Sequence, residues 1–194
     1  MSSSVKDASK LPLITLRRVE SIELVRELND FAHTLLEMEI DRTVPKRFFS
    51  TLPDSGVVSA AGIYVHAVLG EDHFVSGRLG EPLTYGLGKW ESRLGFEPRA
   101  DITAGWAESL RFEVDVMREY ARAVYARSDA FFAALTAEAS QEAVSNWRVI
   151  REDGQVRYEQ RQVPVLFGFM DNVTLHSVGH AGEIAVVSNL ARNS

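Results

Sequence analysis

Five histidines carry most of the chemistry this chain can offer, because it contains no cysteine at all. Disulfides, Fe–S clusters, thiolate zinc sites and a cysteine nucleophile are thereby excluded. Reactions must run through imidazoles, carboxylates, hydroxyls or something bound. His176 and His180 fall on a stripe with Phe169, Val173, Ile184 and Val187, at steps of four, three, four, four and three. Such a stripe is the inward face of a helix, and it stacks the two imidazoles one turn apart. Both rings can then reach one metal ion. Two buried imidazoles without partners for their ring nitrogens would otherwise cost free energy.

A third ligand has two candidates on an earlier helix. His66 and His73 lie two turns apart on one face, near Ile63. His66 sits well inside the segment; His73 lies nearer its end, beside Glu71 and Asp72, as a pocket group or salt-bridge partner. Glu183, three residues after His180, could orient a ligand imidazole. His33 falls off the apolar stripe of its own helix and reads as a surface residue. The plain alternatives are a hydrogen-bonded core histidine for His66 and for the His176/His180 pair, a surface salt-bridge partner for His73 and an ordinary solvent-facing glutamate for Glu183.

The elements that must position these groups follow from periodicity. Residues 1–12 read as a flexible lead-in. Leu24, Leu28, Phe31, Leu35 and Met38 step by four, three, four and three, the buried face of a first helix with Ser21 as N-cap. Pro45 and the run Thr51-Leu52-Pro53-Asp54-Ser55-Gly56 mark a loop. A second helix spans about Ser59 to Leu79, stopped by Gly80 and Pro82. Residues 80–100 form a long connection, in which Tyr85-Gly86-Leu87-Gly88 is a turn rather than a phosphate loop. A third helix, capped by Asp101 or Thr103, runs to about Leu135. Trp147–Gln162 alternates around Glu152-Asp153-Gly154, a hairpin signal that marks 145–163 as an insertion. Pro164 suits the first turn of a fourth helix reaching Asn189. Gly179 and Gly182 within it suggest close approach of a neighbouring helix. Four helices and a hairpin predict an all-α four-helix bundle, residues 1–194 forming one domain.

Composition narrows the function classes. The 194 residues are 45% hydrophobic and 25% charged, with net charge −6, which argues against nucleic-acid binding. No run of about 18 apolar residues predicts a membrane span. The polar start, MSSSVKDASK, has no secretory pattern, so the expected location is cytoplasmic.

The segment AAGIYVHAVLGEDHF with His66, followed late in the chain by LHSVGHAGEI with His176 and His180, resembles the DinB/YfiT-like superfamily. The resemblance extends over nearly the whole layout of the chain. It implies a four-helix bundle of up-down-down-up type and a divalent metal, zinc or nickel, held by His66, His176 and His180. It also implies a homodimer and a small-molecule substrate. Relatives of known activity are thiol-dependent: bacillithiol or glutathione S-transferases and mycothiol-dependent maleylpyruvate isomerase. The hairpin and the long 80–100 connection depart from a plain bundle of that type.

Three functions therefore compete. A metal-bound low-molecular-weight thiol could attack a small electrophile in a transfer or isomerisation. A metal-bound hydroxide could make the protein a hydrolase, with Glu71, Asp72 or His73 as base. A non-catalytic helical module for ligand binding or dimerisation would need no metal.

Overall fold

The computed structural model describes residues 21–43, 48–50, 58–99, 103–152 and 155–190. The expected lead-in and most of the loop around Pro45 lie outside them. The fold is mainly α with one two-stranded antiparallel sheet. Its helices are α1 (Ser21–Arg42), α2 (Ala60–Leu79), α3 (Thr84–Leu87), α4 (Glu91–Leu94), α5 (Ala104–Ser109), α6 (Val114–Ala134) and α7 (Ala137–Ser140). Strands β1 (Ala143–Glu152) and β2 (Gln155–Pro164) follow, then α8 (Val165–Phe169), a π turn (Met170–Leu175) and α9 (His176–Leu190).

The second helix has the limits its sequence predicts. Ser59 caps α2 by accepting from the Gly62 amide at 3.1 Å, and Gly80 closes it in the left-handed region at φ 66°. This helix packs between α6 and α9, while α1 packs along α9 and touches α6. Leu36, Tyr64, Val68, Met117, Tyr120, Val124, Ile184 and Val187 share the main apolar cluster. Val75, Phe131, Phe132, Phe169 and Val173 fill a second one.

The hairpin pairs Ala143 with Pro164 through to Glu152 with Gln155. Its foot rests on α8, where Val144 Cγ2 stands 2.8 Å from where a Cβ on Gly168 would be. Only glycine admits that approach.

Several sequence expectations need correction. The first helix buries Val25, Asn29, Ala32, His33, Leu36 and Ile40 and leaves Leu24, Leu28, Phe31 and Met38 in solvent. His33 is 7% exposed, not a surface residue. Its ring stacks on Tyr125 with centroids 3.6 Å apart, and its Nε2 lies 2.9 Å from Glu71. The third helix is two, α5 and α6, with extended backbone between them. Arg111 donates to the Leu110 and Glu108 carbonyls there, and Phe112 leaves the helix path to meet Phe48 and Phe49. A Cβ at Gly179 or Gly182 would meet nothing within 4 Å, so neither glycine serves a close helix contact. No helix among the described residues is long and apolar enough to cross a membrane.

Candidate metal centre

The structure brings His66 of α2 together with His176 and His180 of α9. One ring nitrogen from each lies within 4.8 Å of the others. The His66 centroid is 4.9 Å from that of His176 and 5.1 Å from that of His180. All three rings are half-buried, in the seam where α2 and α9 pack. Gly70, one turn beyond His66, lies beside His176, where an added Cβ would stand 3.6 Å from Cε1. The seam therefore has room for the His176 ring.

Contacts place the hydrogen on one ring of the trio and favour the uncharged form of another. His180 Nδ1 lies 2.6 Å from the Glu183 carboxylate, which only accepts, so Nδ1 carries the hydrogen. In the neutral ring that leaves a lone pair on Nε2, the atom that faces His176 Nε2 at 2.9 Å. A carboxylate on the far nitrogen fixes tautomer and ring orientation in metal-ligating histidines. Burial, then the charges of His180 and His66, lowers the His176 pKa to about 4. At neutral pH that imidazole is uncharged and able to ligate.

A divalent ion fits these residues. Two nitrogens each about 2.0–2.1 Å from a tetrahedral zinc stand roughly 3.3 Å apart. His176 Nε2 and His180 Nε2 are 2.9 Å apart, and all three ligand nitrogens lie within 4.8 Å of one another. His176 Nδ1 is buried and has no hydrogen-bond partner among the described residues. Protein hydrogen bonds alone thus do not satisfy this ring, as they would in an ordinary core histidine.

The other candidates lie elsewhere. Glu71 is 1% exposed and is engaged by Ser128, His33 and Asn29. Asp72 is fully buried and accepts from the Thr84 and Tyr85 amides, the Ser76 hydroxyl and the Tyr120 phenol. Burial first, then Asp72, raises the Tyr120 pKa and keeps that phenol a donor. Both carboxylates are committed to structural networks. His73 does not join the trio, and its buried Nε2 has no partner among the described residues. The π turn that precedes His176, and the side chains that hold it, escaped the sequence reading. Its one sequence trace is the run of four-residue steps among Phe169, Val173, Ser177 and Ala181.

Fold and site together describe a mainly α protein with a three-histidine cluster between two helices. No family model matches the chain, and no curated protein matches it. The crystal structure of a conserved protein from Enterococcus faecalis is similar, with a TM-score of 0.71. The two are 15% identical over 89% of this chain and 97% of that one. At that identity the likeness is one of fold.

Proposed function

We propose that the chain is a DinB-like four-helix bundle that binds zinc or nickel through His66, His176 and His180, works as a cytoplasmic homodimer, and uses the ion to activate a low-molecular-weight thiol. The observation that carries the reading is the convergence of three ligand nitrogens, with Glu183 placed on the far side of His180. An ion held by three imidazoles would keep a coordination position open, and the chemistry it would supply there is stabilisation of a thiolate. The chain has no cysteine, so the sulfur must arrive with a cosubstrate such as mycothiol, bacillithiol or glutathione. A thiol held there would give up its proton to water. Its sulfur lone pair would then form an S–C bond as a leaving group departs with its bonding pair, or, on a conjugated acceptor, as the C=C π pair shifts toward the carbonyl oxygen and the carbon later takes up a proton. His66, His176 and His180 orient that encounter, and Glu183 holds the His180 tautomer. Hydrolysis is the weaker reading, because the carboxylates of Glu71 and Asp72 are taken up by other groups and His73 does not join the trio.

Metal analysis of tag-free protein purified without chelator tests the centre. About one zinc or nickel per chain is expected, and its loss in both His66→Ala and His176→Ala. Metal-free wild type that takes up no added ion would sink the site. With metal bound, conjugation of a chromogenic electrophile should require one of the three thiols. Turnover of esters without any thiol would replace transfer by hydrolysis.

A further inference from the structure

The last helix is not continuous: between α8 and α9 it loosens into the π turn Met170–Leu175. Single π turns are rare, and the packing here shows what this one accomplishes. Phe169, Val173, Ser177 and Ala181 are all buried, each four residues after the last. An α-helix closes a turn in 3.6 residues, so those twelve would carry Ala181 about 120° round from Phe169. The wider turn absorbs part of that rotation, and both ends of the helix keep facing the core. His176 is the first residue after it. The direction in which His176, and His180 one turn on, meet His66 is therefore set by the π turn.

Side chains hold the turn from two sides. On the inner side, Thr174 Oγ1 donates to Asn29 Oδ1 of α1 at 3.1 Å, and Asn29 Nδ2 donates to Glu71 Oε1 of α2 at 3.4 Å. Ser128 and His33 secure Glu71 in turn. On the outer side, Asn146 Nδ2 of β1 donates to Asp171 at 2.7 Å, and Arg161 of β2 reaches the same oxygen at 3.3 Å. Asn172 Nδ2 donates to Asn146 Oδ1 at 3.1 Å and to the Gly168 carbonyl at 2.7 Å. Thr174 is 3% exposed and Asn146 1%, so water does not readily replace either partner.

We propose that Thr174 and Asn146 are positioning residues for the metal centre, holding the π turn in the register that sets His176 and His180 against His66. The inserted hairpin, on this account, is part of the site's scaffold. The proposal rests on the metal reading above, and its test separates the two.

Cobalt(II) binding to the metal-free protein is measured by titration and by visible absorption, which reports coordination geometry. Thr174→Val keeps the shape and removes the donor; Thr174→Ser restores the donor; Asn146→Ala opens the outer side. Cobalt affinity should fall about tenfold or more in Thr174→Val and Asn146→Ala, the loss typical of groups that orient ligands, with a changed spectrum. Thr174→Ser should return close to wild type in both readouts. If wild type binds cobalt and Thr174→Val and Asn146→Ala match it in affinity and spectrum, the proposal is wrong while the metal reading stands. A loss in Thr174→Val that Thr174→Ser does not restore also overturns it. Wild type without cobalt uptake removes both readings at once. Should Thr174→Val fail to fold by circular dichroism, Asn146→Ala decides the question.

Discussion

At the scale of single residues, the contact between His180 and Glu183 organises the centre. A hydrogen bond from Nδ1 to a carboxylate makes the opposite nitrogen a better ligand and stops the ring from turning. Glu183→Ala should therefore weaken zinc binding about 10- to 100-fold in competition with a chromophoric chelator. Unchanged affinity would mean that the pair is only a surface ion pair. His176 carries a second expectation, for the metal-free protein. Its pKa is lowered to about 4 in the fold against an ordinary 6.5, so between those values the unfolded chain binds the extra proton. Stability from this group is complete above about pH 6.5 and is lost as the pH falls toward 4. The melting temperature of apo wild type should fall more steeply across that window than that of His176→Gln. Equal slopes would show that His176 is not desolvated. Spacing leaves both His66 and His73 as candidates, and only the resemblance chooses His66. The His176/His180 pair was legible in the sequence because histidines at i and i+4 stood on an apolar stripe. His33 was not, because its partners, Glu71 and Tyr125, arrive from helices far along the chain.

At the scale of elements, long-range polar contacts explain where sequence periodicity misleads. The connection after α2 looks unstructured in sequence, yet α3 begins on the Asp72 carboxylate, which accepts the amides of Thr84 and Tyr85 at 2.9 and 3.1 Å. Arg127 lies 3.7 Å from the same carboxylate and also donates to Ser76, the Pro82 carbonyl and Thr84. Removing the carboxylate would leave two buried amides, a hydroxyl and a phenol short of an acceptor, and the Arg127 charge without its buried counter-ion. Asp72→Ala should cost about 3–5 kcal/mol in urea unfolding, the range for breaking a buried charged network. A loss below about 1 kcal/mol would mean that the network relaxes around the change. The division of the expected third helix has a similar origin. No glycine or proline interrupts residues 106–114; the break is made by Phe112 turning toward Phe48, Phe49 and Phe96. Local propensity says nothing about such a contact.

At the scale of the molecule, α1 shows most clearly what hydrophobic periodicity can and cannot decide. The apolar side chains at steps of four and three read in sequence as its buried face, yet Leu24, Leu28, Phe31 and Met38 form a seam on the outside, and only Leu35 of that set packs partly against the core. Phe31 is 56% and Leu24 44% exposed, whereas the inner face uses Ala32, Asn29 and His33 beside Val25, Leu36 and Ile40. The interior accepts those polar groups because Glu71 and Thr174 satisfy them. Core and seam therefore cannot be told apart by hydrophobicity. The steps of four and three are those of a helix that meets another helix lengthwise. A second copy of α1, related by a twofold axis, would cover the seam with an identical one. This is the surface through which the proposed homodimer should form. Sedimentation of wild type should give twice the chain mass, and Phe31→Glu together with Leu28→Glu should give monomers with unchanged helical content. Both residues point away from the core, so the substitutions leave the interior and the histidine cluster intact. Dimers that survive the double change would place the interface elsewhere, and monomeric wild type would refute the homodimer itself.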